Sequence, residues 1–547
     1  MRALPLLTIA FACVARAQTV YEGADVQTAL QAAVNSGATS YTLPPGRINL
    51  TTSLRVMGGT KNFTLMGQTG TRLVRNTTVD FPLIIVGTHG KHAYDNTAFT
   101  GASTTVSPVP EGATTVTRTA GQALEKGWYA IIGTHSLNDI VRTADGVSTN
   151  YFKRELVRVT NVSGNVATLD GPVGRPFDNA ELRLVEADNL PQTVSPQVCQ
   201  RITLRNLVLD GASTIDGTKA AKVLIVGLSS GVYIDDISVS NFGTSGISVQ
   251  MSKGVTINRA RVSQGNLEVM GYGIEFGGSR FVTVRNSVFS TTRTGVLFQS
   301  GTMDGLVEDC TGSTLNFDGG HGQGERRLTY RRVLGNLFTI ANSSWRRGVE
   351  DVTLEDCTAL HSIAVHGNAS NVLIKGRYPG QTITTPQIYT TTQTGGTGYP
   401  SGTSYVRSLT LENGVTISTP TSGYNFQMST APDGTSVLGS LTIRNWTFKV
   451  LYELIGNLKF NRTTNSPNIS ITNCNFQNVY EYSASIFFGP SEGGRWNLDL
   501  RDNVFNLPGQ YIANFSTSST ASWVNQGNLI NGQPVTLAHV VNPGAIQ

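Results

Sequence analysis

From about residue 200 onward the chain repeats one short phrase: an apolar residue, any residue, a second apolar residue, a polar one, and then usually Asn or Asp. It reads Ile202-Thr203-Leu204-Arg205-Asn206, Val232-Tyr233-Ile234-Asp235-Asp236, Val255-Thr256-Ile257-Asn258-Arg259 and Val282-Thr283-Val284-Arg285-Asn286. Copies end at residues 206, 236, 259, 286, 309, 332, 356 and 376, and again at Asn413, Asn445, Asn473 and Asp502. Alternation with period two marks a strand with one buried face. A unit of roughly 20 to 30 residues cannot bury that face alone, so the pattern predicts stacked coils of an all-β parallel β-helix. Leucine-rich repeats share the period, but their Leu-x-x-Leu-x-Leu frame is absent, and propeller blades need about 40 to 50 residues.

Ahead of the repeat, Val26, Leu30, Ala33 and Val34 fall on one helical face between Asp25, a potential N-cap, and Ser36-Gly37. An amphipathic helix here would cap the open end of the solenoid. Leu43-Pro44-Pro45-Gly46 and Phe63-Thr64-Leu65-Met66-Gly67 read as opening coils. Residues 106–190 break the pattern, and Trp128–Ile132, Glu155–Val159 and Asn165–Leu169 suggest a small antiparallel β insertion. Residues 380–405, rich in Thr, Gly and Pro, read as a long loop. The chain therefore divides into a leader (1–17), cap and first coils (18–105), the insertion (106–190), central coils with the polar cluster (191–380), and C-terminal coils and loops (381–547).

The leader reading rests on Arg2, the apolar run Leu4–Val14 and the Ala15-Arg16-Ala17 cleavage pattern, which predict export. No later stretch approaches 18 uninterrupted apolar residues, so no membrane span is expected. Charged residues make up 14% of the chain and the formal net charge is +5, too weakly basic for a nucleic-acid binder yet compatible with an acidic polymer. Oligomeric state is not legible. Beyond Cys13 the four cysteines are widely spaced, which excludes a disulfide scaffold. Cys310 and Cys357 share a column with Leu207, Ile237, Ala260 and Val333, and read as core filling.

Residues at equal offset from the repeat ends should stack in columns. On that alignment Glu275, Gln299, His321, Trp345 with Arg346, and His366 share one side of the solenoid, with Arg293 and Asp318 on neighbouring turns. Arg326 lies in the same coils. A column of this kind offers several side chains to an extended polymer, although Asn and Asp in such turns also simply satisfy backbone groups. The sharpest motif is Asn316-Phe317-Asp318-Gly319-Gly320-His321-Gly322: glycines free the backbone around a histidine, and Asp318 can fix its tautomer.

From about residue 190 the chain resembles the pectin-lyase-like right-handed parallel β-helix superfamily, which includes polysaccharide lyases, alginate epimerases and tailspike-like proteins. The Asp318 to His321 motif is similar to the Asp-Pro-His segment of alginate C5-epimerases, with one extra glycine between Asp318 and His321. It also resembles the Asp-x-His-Gly turn of tailspike-like proteins. Gly271-Tyr272-Gly273-Ile274 and Arg293 match further features of those proteins.

The resemblance implies a secreted enzyme on a polysaccharide, and two chemistries compete. A lyase or epimerase on a uronate needs a cation for the carboxylate (Arg293, Arg326 or Arg346), a base (His321), and a proton donor (Tyr272 or His366). An inverting hydrolase needs two carboxyls, from Glu275, Asp318 or Glu325. The excess of Arg and His over carboxylates favours the lyase. A non-catalytic binding or adhesion protein, with Trp345 as a sugar platform, is the third reading. No metal-binding motif stands out and no cofactor is evident; calcium could bridge substrate and carboxylates, as in several members of the superfamily.

Overall fold

The computed structural model describes residues 19–546 apart from 58, 88–102, 135–153, 179, 185–197, 268–269, 314–315, 322, 342–347, 367–368, 377–383, 386, 392–403, 418–423, 429–435, 451–456, 461–466, 479–484, 489–494, 510 and 516–519. The leader, Trp345 and Arg346 lie outside the described residues.

Short strands from successive coils pair in parallel and in register. Three sheets result. The anchor sheet contains the repeated phrase, with Ile202 beside Val232, Val255, Val282 and Gly305 in successive coils. A second sheet follows each phrase, and a third precedes the next one, with Ile247 beside Ile274 and then Val296. The alternate apolar residues of all three point inward and form one continuous core.

The polar residue that ends each phrase has a conformational task. Asn206, Asp236, Asn286, Asp309, Asp356, Asn413, Asn445, Asn473 and Asp502, with Arg259 and Arg332, all have φ between 50° and 58°. The chain turns there from the anchor sheet into the second sheet through a single left-handed residue. Asn and Asp tolerate that region best among residues with a side chain, which explains their recurrence.

A helix, α1 (Gly23–Asn35), packs beside the first coil with Val26 and Leu30 in the solenoid core. Its N-cap is Glu22; Asp25 stands instead in the first turn, where its charge meets the positive end of the helix dipole. The insertion is a closed antiparallel barrel of six strands: Ser103–Val106, Thr115–Gly121, Tyr129–Thr134, Arg154–Ser163, Val166–Leu169 and Ala180–Leu184. It has its own core around Trp128, Ile132, Val157 and Leu182. It adds no coil, because Phe63 and Leu65 pair directly with Ile202 and Leu204 across the interruption. The stretch 380–405 is not wholly a loop: Ile388–Thr391 is a strand of the third sheet, paired with the strand Thr358–His366. Cys199, Cys310, Cys357 and Cys474 are free and buried.

Candidate functional site

The polar cluster lies on the outer face of the third sheet, on the coils between Ala220 and His321. The strand Tyr272–Gly277 presents Tyr272 and Glu275 outward while Ile274 and Phe276 enter the core. One coil on, Thr294–Gln299 places Leu297 beside Glu275, and the next strand, Asn316–Asp318, places Asp318 beside Leu297. Glu275 and Asp318 thus share a column two coils apart. Gln299 does not share it: it pairs with Gly277 and reaches across to donate to Oε1 of Glu275.

Glu275 is buried and saturated. Its Oε2 accepts from Lys222 Nζ at 3.2 Å, from Ser248 at 3.2 Å and from Ser245. Burial raises its pKa, but Lys222, Ser245 and Ser248 together outweigh burial and hold it below the usual carboxylate value. Lys222, Ser245 and Ser248 are contributors that the sequence reading missed. A signal existed, since Lys222, Ser245 and Tyr272 stand at the same distance ahead of the anchors Asp236, Arg259 and Asn286 and do pair in one column.

The Asp318 to His321 turn is shaped by its glycines. The Gly319 N–H donates to the Thr339 carbonyl at 2.7 Å, and at Gly320, with φ of 109°, a Cβ would lie 2.8 Å from Val349. The backbone therefore dips against the next coil and returns His321 above Asp318. His321 Nδ1 lies 3.2 Å from Oδ2 of Asp318, and the His321 N–H donates to the Phe298 carbonyl at 2.9 Å. From the core, the Tyr330 hydroxyl donates to the Asp318 carbonyl at 2.7 Å. Asp318 is 1% exposed, whereas the His321 side chain keeps 20% of its surface open.

Burial disfavours the charged imidazole, but the hydrogen bond and charge of Asp318, aided by Glu325 and opposed by Arg293, raise the His321 pKa above 6.5. Since a carboxylate only accepts, Nδ1 carries the proton of the neutral imidazole and Nε2 is left as its acceptor. Tyr272 is pushed up by burial, opposed by Arg293, with Asp318 and Glu275 adding to the rise, and stays protonated. Arg293 sits one coil beyond Tyr272, its N–H donating to the Gly271 carbonyl at 3.0 Å. Tyr272, Glu275, Arg293, Asp318 and His321 are therefore one electrostatic cluster.

Two expected members stand apart. Arg326 pairs with Glu111 of the barrel at 2.9 Å and with Glu350 at 3.0 Å, so its charge serves the seam between barrel and solenoid instead of a substrate. His366 lies beyond the column that runs from Asp318 through Thr339 to Ala364. Burial alone pushes its pKa down to about 4, and its Nδ1 has no hydrogen-bond partner among the described residues. It is neutral at physiological pH and poorly suited to the proton-donor role. Among the described residues no group of three or more His, Cys, Asp or Glu is arranged to hold a metal ion, and no described helix is long and apolar enough to cross a membrane.

No protein-family model matches the chain, and no curated protein matches it. Among solved structures it is similar to the tailspike of Pseudomonas phage phi297, with 14% identity, 92% of this chain and 73% of that one covered, and a TM-score of 0.51. The tailspike of Pseudomonas phage LKA1 gives 14% identity, coverage of 95% and 77%, and a TM-score of 0.51. The tailspike of Acinetobacter baumannii bacteriophage AP22, solved with A. baumannii capsular saccharide, gives 14% identity, coverage of 92% and 74%, and a TM-score of 0.50. At such identities the likeness concerns the fold, and the fold of this chain is that of the right-handed parallel β-helix proteins.

Proposed function

We propose that this chain is a secreted polysaccharide-active enzyme, a lyase that cleaves a uronate-containing polymer by β-elimination. The observation that carries the reading is the meeting of Tyr272, Arg293 and the Asp318–His321 pair on one outer face. Arg293 neutralises the uronate carboxylate, which lowers the cost of carbanion character at the adjacent carbon. Neutral His321, its Nδ1–H held by Asp318, takes the proton from that carbon through Nε2. The electron pair forms the new double bond as the glycosidic C–O bond breaks, and the Tyr272 hydroxyl protonates the leaving oxygen. The likeness to a tailspike solved with a capsular saccharide supports a polysaccharide as the ligand class.

A second reading rests on the shared column of Glu275 and Asp318. Two coils separate them by about 9.6 Å along the column, near the roughly 6.5–9.5 Å of inverting glycosidases. Glu275, held ionised, would be its base. Incubation with acidic, carboxyl-reduced and neutral polysaccharides separates the readings. A lyase yields unsaturated, ultraviolet-absorbing ends from the acidic polymer alone. New reducing ends from neutral glycans without that absorbance overturn the lyase in favour of the hydrolase. Binding with neither product makes the chain an adhesion protein.

A further inference from the structure

The barrel enters the solenoid through Gly174 and Arg175. A Cβ on Gly174 would lie 2.9 Å from Met303, and Arg175 is 3% exposed. The guanidinium donates to the Gly301 carbonyl, and its Nε lies 3.2 Å from Met303 Sδ. On the other side of the same residue, the Gly301 N–H donates to the buried Glu325 carboxylate at 3.3 Å. Gly301 has a φ of 75°, and a Cβ there would sit 3.0 Å from the guanidinium, so only bare backbone admits Arg175 so closely.

The corner held in this way, residues 298–302, carries two contacts of the site. Gln299 donates to Glu275, and the Phe298 carbonyl receives the His321 N–H. We propose that Arg175 is a positioning residue: with Glu325 it clamps Gly301 from both sides, and through that corner it fixes Gln299 and His321, which makes the barrel part of the working site. The inference rests on the reading of the His321 cluster as the active site.

Docking of the barrel does not rest on Arg175 alone. Arg280 with Glu155, Lys253 with Asp170, and Arg326 and Arg327 with Glu111 already tie barrel to solenoid. A buried guanidinium is costly, here with its pKa pushed down to about 10 by burial, so its presence beyond the needs of docking calls for another role. The charged groups facing His321 among the described residues are Asp318, Glu325 and Arg293.

The test uses the full chain with Arg175→Met, Arg175→Lys and Glu325→Gln, assayed on a polyuronate and by NMR of labelled histidines, with His321→Gln identifying the His321 signal. Arg175→Met is expected to remain folded and to lose about tenfold to a hundredfold in kcat with KM little changed, Arg175→Lys recovering part of the loss. Glu325→Gln is expected to move the His321 titration to lower pH, because one of the two carboxylates that favour its charged form is gone. Wild-type kcat and an unmoved His321 signal in Arg175→Met overturn the clamp. If Arg175→Met fails to fold, Arg175→Lys carries the test: wild-type kcat together with an unmoved His321 signal in that variant overturns the clamp, because an ammonium cannot keep both the Gly301 and the Met303 contacts of the guanidinium. If the wild-type chain turns over no polymer, the functional reading fails by itself, and the NMR arm decides the clamp: a His321 signal that moves in Arg175→Met supports it, and one that stays overturns it.

Discussion

The C-terminal coils and the coils around His321 share one architecture and use it in opposite ways. Toward the C-terminus, like meets like. Asn413, Asn445 and Asn473 form a ladder with side-chain bonds of 2.9 and 2.8 Å, and Phe448, Phe476 and Phe505 stack at 5.1 and 4.6 Å. Each side chain is satisfied by its own copy one coil away. Around His321 the outward column instead reads Ser248, Glu275, Leu297, Asp318 and Thr339, and unlike groups meet. A solenoid gains stability by repeating and acquires chemistry where the repeat is broken.

The most damaging test of that contrast is His321→Ala. It should lower turnover by about 10²–10⁴-fold and, because the buried Asp318 carboxylate loses its imidazole partner, cost about 1–3 kcal/mol of stability while the chain remains folded. A variant that loses both activity and fold would make His321 a structural residue. The converse change, Phe476→Ala, should cost about 3–5 kcal/mol in denaturant unfolding while the folded fraction keeps its specific activity.

A smaller effect is expected from Asn445→Ala, which forces alanine to a φ of 53° and removes two ladder bonds. The loss should be about 1–3 kcal/mol, and Asn445→Gly, which restores the conformation only, should lose less. Equal losses would show that the ladder bonds, and not the left-handed turn, set the preference for Asn.

The subtlest change concerns pH. In the proposed mechanism His321 is the base in its neutral form, so turnover should rise as pH climbs through a midpoint above 6.5, the ordinary value that Asp318 and Glu325 raise. Asp318→Asn removes the larger of the two raising influences and leaves burial, which lowers the pKa. The acid limb of the rate profile should therefore move to lower pH, while the maximal rate falls because the tautomer is less well held. A limb that stays in place would assign it to another group.

Much of the site was legible. Glu275, Arg293, Gln299, Asp318 and His321 could be named from their offsets and from the glycine-flanked motif, and Tyr272 from the resemblance; the structure places them in one cluster, Gln299 through its bond to Glu275. Lys222 was equally accessible by offset but was overlooked, since it stands 14 positions ahead of Asp236, whereas the column was counted 10 or 11 positions ahead of the anchors and begun two anchors later, at Asn286. The shared column of Glu275 and Asp318 was obscured because the register slips between Thr294 and Leu297 and the following strand, so counting back from the anchors drifts. Arg326 was misjudged because its partner Glu111 lies far away in the chain.

What the sequence alone determined was whatever repeats locally: the coils, from apolar alternation, and the corners, from residues that tolerate a left-handed backbone. Those properties depend on a residue and its near neighbours, so the chain states them one coil at a time. Only the tertiary structure decided where the barrel docks, which arginines it consumes, and that Arg175 and Glu325 hold the corner behind His321. The contacts between barrel and solenoid join residues 83 to 216 positions apart, and charge pairing over such distances depends on the folded geometry alone.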